Sequence, residues 1–256
     1  DRYGTIERMR AQNFFSRTPE GHVVFLSQED AVEVFRCKDF RFTFSEIDEH
    51  KSPYLANAIE HELLNMHGAQ HERLSRLLKR ALRERVIDGI EESISTIVDD
   101  LIDSIPDDGV IDFCTGFSDP LPARVLGPMF GVPYEETAGL NDWIRIGGRK
   151  SDALQSGLGI SEVEDANRKL HDYLRSLLKQ RQKSGGNDLF SELMLVEIDG
   201  DRLSEDELVY LAGELAAAGV DTTRAQLPLI LNALLDHPSE MRKLRADPNL
   251  SMRAVD

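Results

Sequence analysis

The sequence predicts a mainly α-helical protein with a small amount of β-sheet. Three observations carry this reading. Apolar residues recur at helical spacing, most clearly at Ile90, Ile94, Ile97, Val98 and Leu101. One stretch, from about residue 204 to 236, keeps a helical composition over far more residues than a strand holds. Strand-like composition is confined to short runs such as His22-Val23-Val24-Phe25-Leu26, bounded by Gly21 and Ser27.

Taken in order, residues 4–16 read as a short helix and 22–26 as a strand. Asp30 is placed to cap a helix that runs through Phe35. Residues 40–65 mix aromatic and polar side chains with weak periodicity. Helices are expected over 69–84 and 86–105, followed by a turn at Asp108-Gly109 and a short apolar segment from Val110 to Phe113. Residues 119–130 form the next helix and leave it through Gly131-Val132-Pro133. Two more helices follow over 135–147 and 161–183, the second broken by Gly185-Gly186. The long helix ends near Asp236, with a kink expected at Pro228, which has no backbone donor.

Composition bounds the function. A chain of 256 residues can bury a sizeable core. No Pro-, Gly- or Ser-rich linker, internal repeat or low-complexity run divides it, so a single domain is expected over 1–256. With 30 basic and 46 acidic residues the net charge is −16, which argues against general nucleic-acid binding. Two cysteines make no disulfide framework, and a reducing, cytoplasmic setting is expected. No run approaches the roughly 18 apolar residues of a membrane span, and the N-terminal residues are unlike a signal peptide.

The most informative segment is Ala218-Gly219-Val220-Asp221-Thr222-Thr223, inside the long apolar helix. An acid beside an alcohol is costly to bury there without partners or a task. Thr222 can return its hydroxyl to the carbonyl of Ala218, one turn back, which is expected to open the helical ladder. Gly219 lets a flat group approach the backbone, and Asp221 can relay protons into the gap.

These six residues match the Ala-Gly-x-Asp/Glu-Thr-Thr pattern of the oxygen-activating helix of cytochrome P450 monooxygenases, which the chain resembles. Other landmarks agree and occur in family order. Asn187-Asp188-Leu189 and the acidic turn Asp199-Gly200-Asp201-Arg202-Leu203-Ser204-Glu205-Asp206-Glu207 lead into the motif helix. Leu234-Leu235-Asp236-His237-Pro238-Ser239 and Leu244-Arg245-Ala246-Asp247-Pro248 follow it. Met66-His67-Gly68-Ala69-Gln70-His71-Glu72-Arg73-Leu74 is similar to the start of the helix that meets the haem propionates. Asp119-Pro120-Leu121-Pro122 through Pro133 is similar to another helix of the family and its exit. The resemblance therefore implies a mainly α, P450-like fold with minor sheet.

It also implies haem b as cofactor, dioxygen and a small organic molecule as substrates, and a ferredoxin-type electron donor. By resemblance, Asp221 passes protons or, alternatively, pairs with a basic residue; Thr222 steadies bound dioxygen, and Ala218 and Gly219 lie against the haem. His71 resembles the histidine that bonds a propionate. The arginine usual four residues later is Ser75 here, which leaves Arg73 and Arg76 as flanking candidates. One residue on a helix is a rotation of about 100°, so Arg76 has to reach round to serve. Glu214, Ala217 and Ala218, one and two turns before Thr222, are expected to face the substrate, with Phe42, Phe44 and Trp143 as further pocket candidates that fit core or surface packing as well. His67 and His71 have a zinc-compatible spacing but no third ligand at a usual distance, so no metal site is expected from these side chains.

The family's iron ligand is a cysteine in a Phe-x-x-Gly-x-x-x-Cys loop. Neither Cys37 nor Cys114 lies in such a loop, and the Glu-x-x-Arg pair of the family is absent too. The chain is accordingly read as an incomplete, C-terminally truncated P450 domain, inactive alone, whose parent inserts one atom of dioxygen into its substrate. The alternative is a non-catalytic remnant or helical binding protein without haem. A ligand-sensing regulator lacks a basic DNA-reading segment. Between His71 and Arg85 stand Arg73, Arg76, Lys79, Arg80, Arg83 and Arg85 against Glu72 and Glu84. That charge is either a solvated helix face or a docking patch for an acidic redox partner.

Overall fold

The computed structural model describes residues 2–11, 15–19, 21–37, 39–40, 52–83, 90–106 and 109–255. Phe42, Phe44, Arg85 and Asp108 lie outside them. The chain divides into two compact units, Asp1–Thr43 and Phe44–Asp256.

The first unit holds α1 (Arg2–Arg10), the antiparallel pair β1 (Phe15–Arg17) and β2 (Val23–Phe25), and α2 (Gln28–Arg36). The helix expected over 4–16 therefore stops early. Phe15 pairs with Phe25 and Arg17 with Val23, and this non-local pairing overrides the local helical pattern. The cap of α2 is Ser27, not Asp30: the Ser27 hydroxyl accepts from the Asp30 amide, and Asp30 sits in the first turn.

The second unit begins with α3 (Pro53–Glu60), which the weak periodicity of 40–65 hid, and a 3-10 turn at Leu63–Asn65. Then come α4 (Gly68–Arg83), α5 (Ile90–Asp103), α6 (Pro120–Phe130), α7 (Thr137–Gly147), α8 (Lys150–Ser156) and α9 (Ile160–Ser184). Cys114–Ser118 winds as one wide π turn directly before α6. After α10 (Leu189–Leu195) the hairpin β3 (Glu197–Ile198) and β4 (Asp201–Arg202) turns through Asp199 and Gly200, both at positive φ. It leads into α11 (Glu205–Asp236), followed by α12 (Pro238–Ala246) and α13 (Ser251–Val255). Among the described residues the result is a mainly α protein with two small sheets.

Helix α11 is the axis of this unit. Its start is fixed by a full capping box between Ser204 and Glu207, with Glu205, Asp206 and Glu207 complementing the helix dipole. Arg73 of α4 reaches both sides of that start, donating to Asp201 at 2.8 Å and to Glu207 at 2.5 Å. The packed face of α11 comprises Leu208, Val209, Leu211, Ala212, Ala216 and Val220. It meets Leu126 and Phe130 of α6, Ile144 of α7 and Leu170 and Leu174 of α9 in one core. Asp188 caps α10 through the Ser191 amide and pairs with Arg181 of α9 at 2.8 Å, both side chains being largely buried. Arg181 also donates to the carbonyl of Gly131, the left-handed residue that ends α6. Helix α11 runs on through Pro228 to Asp236. Among the described residues, no helix is long and apolar enough to cross a membrane.

Candidate functional site

The motif on α11 separates into two environments. Ala218, Gly219, Thr222 and Thr223 are exposed, so the motif is not enclosed as its apolar sequence setting suggested. The Thr222 hydroxyl donates to the Ala218 carbonyl at 2.6 Å. Yet the helix remains α-helical across the motif, which corrects the expected opening of the ladder. One added side-chain bond to a carbonyl bends a helix without requiring a break. Because its hydrogen is engaged, the Thr222 oxygen presents lone pairs outward and acts as an acceptor.

Asp221 turns the other way. It lies at the edge of a cavity of about 320 Å³ lined by Trp143, Ile144, Leu170 and Ala217 among others. Burial raises its pKa, against the opposing charges of Arg224 and Lys150. Arg224 Nη2 stands 3.0 Å from Oδ1 but out of hydrogen-bonding line, so that oxygen has no hydrogen-bond partner among the described residues. Oδ2 packs against Gly148, just past α7, where any Cβ would overlap the carboxylate. A half-buried acid with a raised pKa, one free oxygen and a cationic neighbour can take up and release a proton.

Glu214 and Ala217 line the same cavity, as does Ala218. The Glu214 carboxylate is committed elsewhere, however. Oε2 accepts from the Leu63 amide at 2.6 Å and Oε1 from the Leu64 amide at 2.9 Å. The carboxylate thus clasps two adjacent free N–H groups at the head of a 3-10 turn, while the residue still lines the cavity. Burial raises the pKa of Glu214 despite these donors. Trp143 both lines the cavity and packs on the core.

His71 and Arg76 are exposed on α4. His71 Nε2 lies 3.5 Å from the Ser75 hydroxyl, and Arg76 contributes to holding the Asp201 carboxylate low, after the larger effect of Arg73. No hydrogen bond or ion pair joins either residue to the motif among the described residues. Arg73 is fully engaged by Asp201 and Glu207 and is removed from the basic patch.

Sequence reasoning passed over Lys150, Glu62, Gly148, Arg224, Gly213 and His171. Lys150 pairs with Glu62 at the cavity edge. His171 had a legible signal: it and Asn167 are polar residues on the apolar stripe of α9, beside Val163, Ala166, Leu170 and Leu174. Gly213 and Arg224 stand on α11 itself, beside Glu214 and Asp221, whereas Glu62, Gly148 and Lys150 are brought in by chain segments far apart in sequence.

The geometry can now be set beside known proteins. The cytochrome P450 family model matches residues 159–250, from α9 through α12 and the 3-10 turn after it. Cyclomarin C epoxidase CymV of Salinispora arenicola is 34% identical over 73% of this chain and 48% of its own length. Cytochrome P450 monooxygenase PikC of Streptomyces venezuelae is 30% identical over 100% of this chain and 61% of its own. The chain belongs to the cytochrome P450 family. The solved structure of epothilone D-bound cytochrome P450epoK superposes with a TM-score of 0.85 at 26% identity, covering 100% of this P450 chain and 66% of that one. The chain thus spans about half to three-fifths of the length of these two curated relatives. Family membership implies a haem cofactor. The residues present fit such a group: Ala218 and Gly219 offer an exposed surface without bulk, and Thr222 sets an acceptor oxygen beside it.

Proposed function

We propose that the protein acts as a haem-thiolate monooxygenase that inserts one atom of dioxygen into a small organic substrate, in the cytoplasm, with electrons from a ferredoxin-type donor. The observation that carries the reading is the Thr222 hydroxyl held on the Ala218 carbonyl beside the half-buried Asp221. Haem, when bound, supplies the activation of dioxygen. Ala218 and Gly219 would hold its flat face, with His71 and Arg76 as the basic groups for its carboxylates. Thr222 accepts a hydrogen bond and so keeps a proton-bearing group oriented over the small-residue face. Asp221 holds a proton at its free oxygen and delivers it round the helix, toward the side where Thr222 stands. Its raised pKa favours the protonated form that such a delivery needs. Leu64, Trp143, Ile144 and Leu170 supply apolar wall to the substrate cavity. The cationic face of α4, with Lys79 exposed, would steer an acidic donor.

The test is substitution in the complete, haem-loaded protein. Asp221→Asn and Thr222→Ala are expected to slow turnover or divert reducing equivalents into peroxide, measured as product formed per dioxygen consumed. Fully coupled turnover in both variants refutes the assigned roles.

A further inference from the structure

The wall of the cavity beside Asp221 is mostly apolar in area, but Glu62, Lys150, Asn167, Glu214 and Asp221 line it too, as does one imidazole. His171 of α9 is 4% exposed and lines the cavity together with Gly213, Trp143 and Ala217. Its Nδ1 lies 2.8 Å from the hydroxyl of Tyr54 on α3. Arg175, which can only donate, faces the Tyr54 oxygen, so the Tyr54 hydrogen is directed to Nδ1. Burial pushes the Tyr54 hydroxyl up to about 12, which keeps that hydrogen in place. Burial, with the charges of Lys150 and Arg175, lowers His171 to about 3, so the ring is neutral. A neutral ring that accepts at Nδ1 carries its hydrogen on Nε2.

Nε2 lies close against Gly213 of α11 at the edge of the cavity. A Cβ at 213 would stand 3.0 Å from it. Among the described residues no hydrogen-bond partner meets Nε2. Of the charged groups nearby, Lys150 pairs with Glu62, Glu214 holds two amides, and Asp221 stands beside Arg224 with Oδ1 unpartnered. Nε2 is not sealed among the buried unpartnered atoms, so it is open to water or to a ligand acceptor that takes the place of water.

We infer that His171 is a specificity-determining contact whose Nε2–H donates to an oxygen acceptor, such as a ketone or ester carbonyl, on an otherwise apolar substrate seated against Trp143 and Ala217. The inference rests on the reading of this cavity as the substrate site of the proposed monooxygenase. A site built around such a donor discriminates against the analogue that lacks the acceptor.

Benzophenone and diphenylmethane make a matched pair of probes, differing in the carbonyl. Their affinities for the complete protein, with and without added haem, are measured by calorimetry, and the carbonyl stretch of bound benzophenone by isotope-edited infrared spectroscopy. The wild type is expected to prefer the ketone by about tenfold, the equivalent of one buried hydrogen bond. His171→Leu abolishes the preference while keeping diphenylmethane affinity, and raises the carbonyl stretch. His171→Gln, which can place an amide N–H near Nε2, restores part of both. Gly213→Ala lowers ketone affinity selectively and keeps the test alive if His171→Leu does not fold. An equal preference and an unchanged stretch in His171→Leu overturn the inference, as does binding of neither probe by the wild type. A protein that takes up haem and oxidises a substrate yet shows no His171-dependent preference refutes this contact alone. One that shows the preference but no haem uptake refutes the monooxygenase reading alone.

Discussion

Glu214 clasps two backbone amides about 150 residues away in sequence, and the strength of that clasp can be worked out. Glu214→Ala removes acceptors held at 2.6 Å from the Leu63 amide and 2.9 Å from the Leu64 amide. A hydrogen bond to a charged group contributes about 1.5–3 kcal/mol net. Leu64 is 56% exposed, so water replaces most of the bond to its amide. Burial of the carboxylate offsets part of the bond to Leu63, as the raised pKa of Glu214 shows. The net loss is therefore about 1.5 kcal/mol, or roughly a tenfold rise in local opening. Hydrogen exchange at the Leu63 and Leu64 amides measures it directly. Unchanged protection at both amides would refute the clasp. The sign with pH follows from the raised folded pKa. The stabilising contribution of Glu214 is complete below its unfolded value of 4.5 and is lost as pH rises through the folded value. Glu214→Gln should remove that dependence, so the stability difference between wild type and this variant falls as pH rises across the window.

Three further perturbations test other parts of the structure. Gly148→Ala places a methyl group where Asp221 Oδ2 sits, and the displaced carboxylate should lower coupled turnover by up to about 100-fold, read as product per dioxygen. Arg181→Ala leaves the Asp188 carboxylate, 7% exposed, without its cation, and should cost about 3–5 kcal/mol in urea unfolding. A shift below about 1 kcal/mol would show that water screens the pair. Charge reversal at Lys79 and Arg83 should slow reduction by a ferredoxin and flatten its salt dependence. Unchanged rates across ionic strength would remove α4 as the docking face.

Much of this architecture was legible because its signals are local. The capping box at Ser204, the Gly200 turn and the Gly185 stop lie within a few residues of the ends they define. So does the bond from Thr222 to Ala218, one turn apart on a single helix. What escaped depends on distant pairing. Phe15 belongs to a strand only because Val23–Phe25 lies beside it. Glu214 looked like a pocket acid because its sequence neighbours do not reveal the amides of Leu63 and Leu64. Arg73 looked like part of a basic patch because Asp201 and Glu207 reach it only through the β3–β4 hairpin. His171 is the intermediate case: a polar residue on a helical apolar stripe announces a partner, without naming Tyr54.

The order of residues around α11 explains why an acid and an alcohol are adjacent in sequence. At about 100° per residue, Asp221 stands roughly 60° to one side of Ala218, and Thr222 and Gly219 roughly 40° and 100° to the other. The two cavities follow the same order. The one that holds Asp221 and the apolar groove of about 550 Å³ that holds Gly219 and Thr223 both reach Ala218. Ala218 is therefore the ridge between them, and its methyl group is the smallest side chain that still favours a helix. A larger residue there would wall the Asp221 side from the Thr222 side. A glycine would join them but weaken the helix whose carbonyl at this position holds the Thr222 hydroxyl. Alanine at 218 thus meets two demands at once: little bulk between the Asp221 cavity and the groove beside Gly219, and a helical carbonyl fixed in direction.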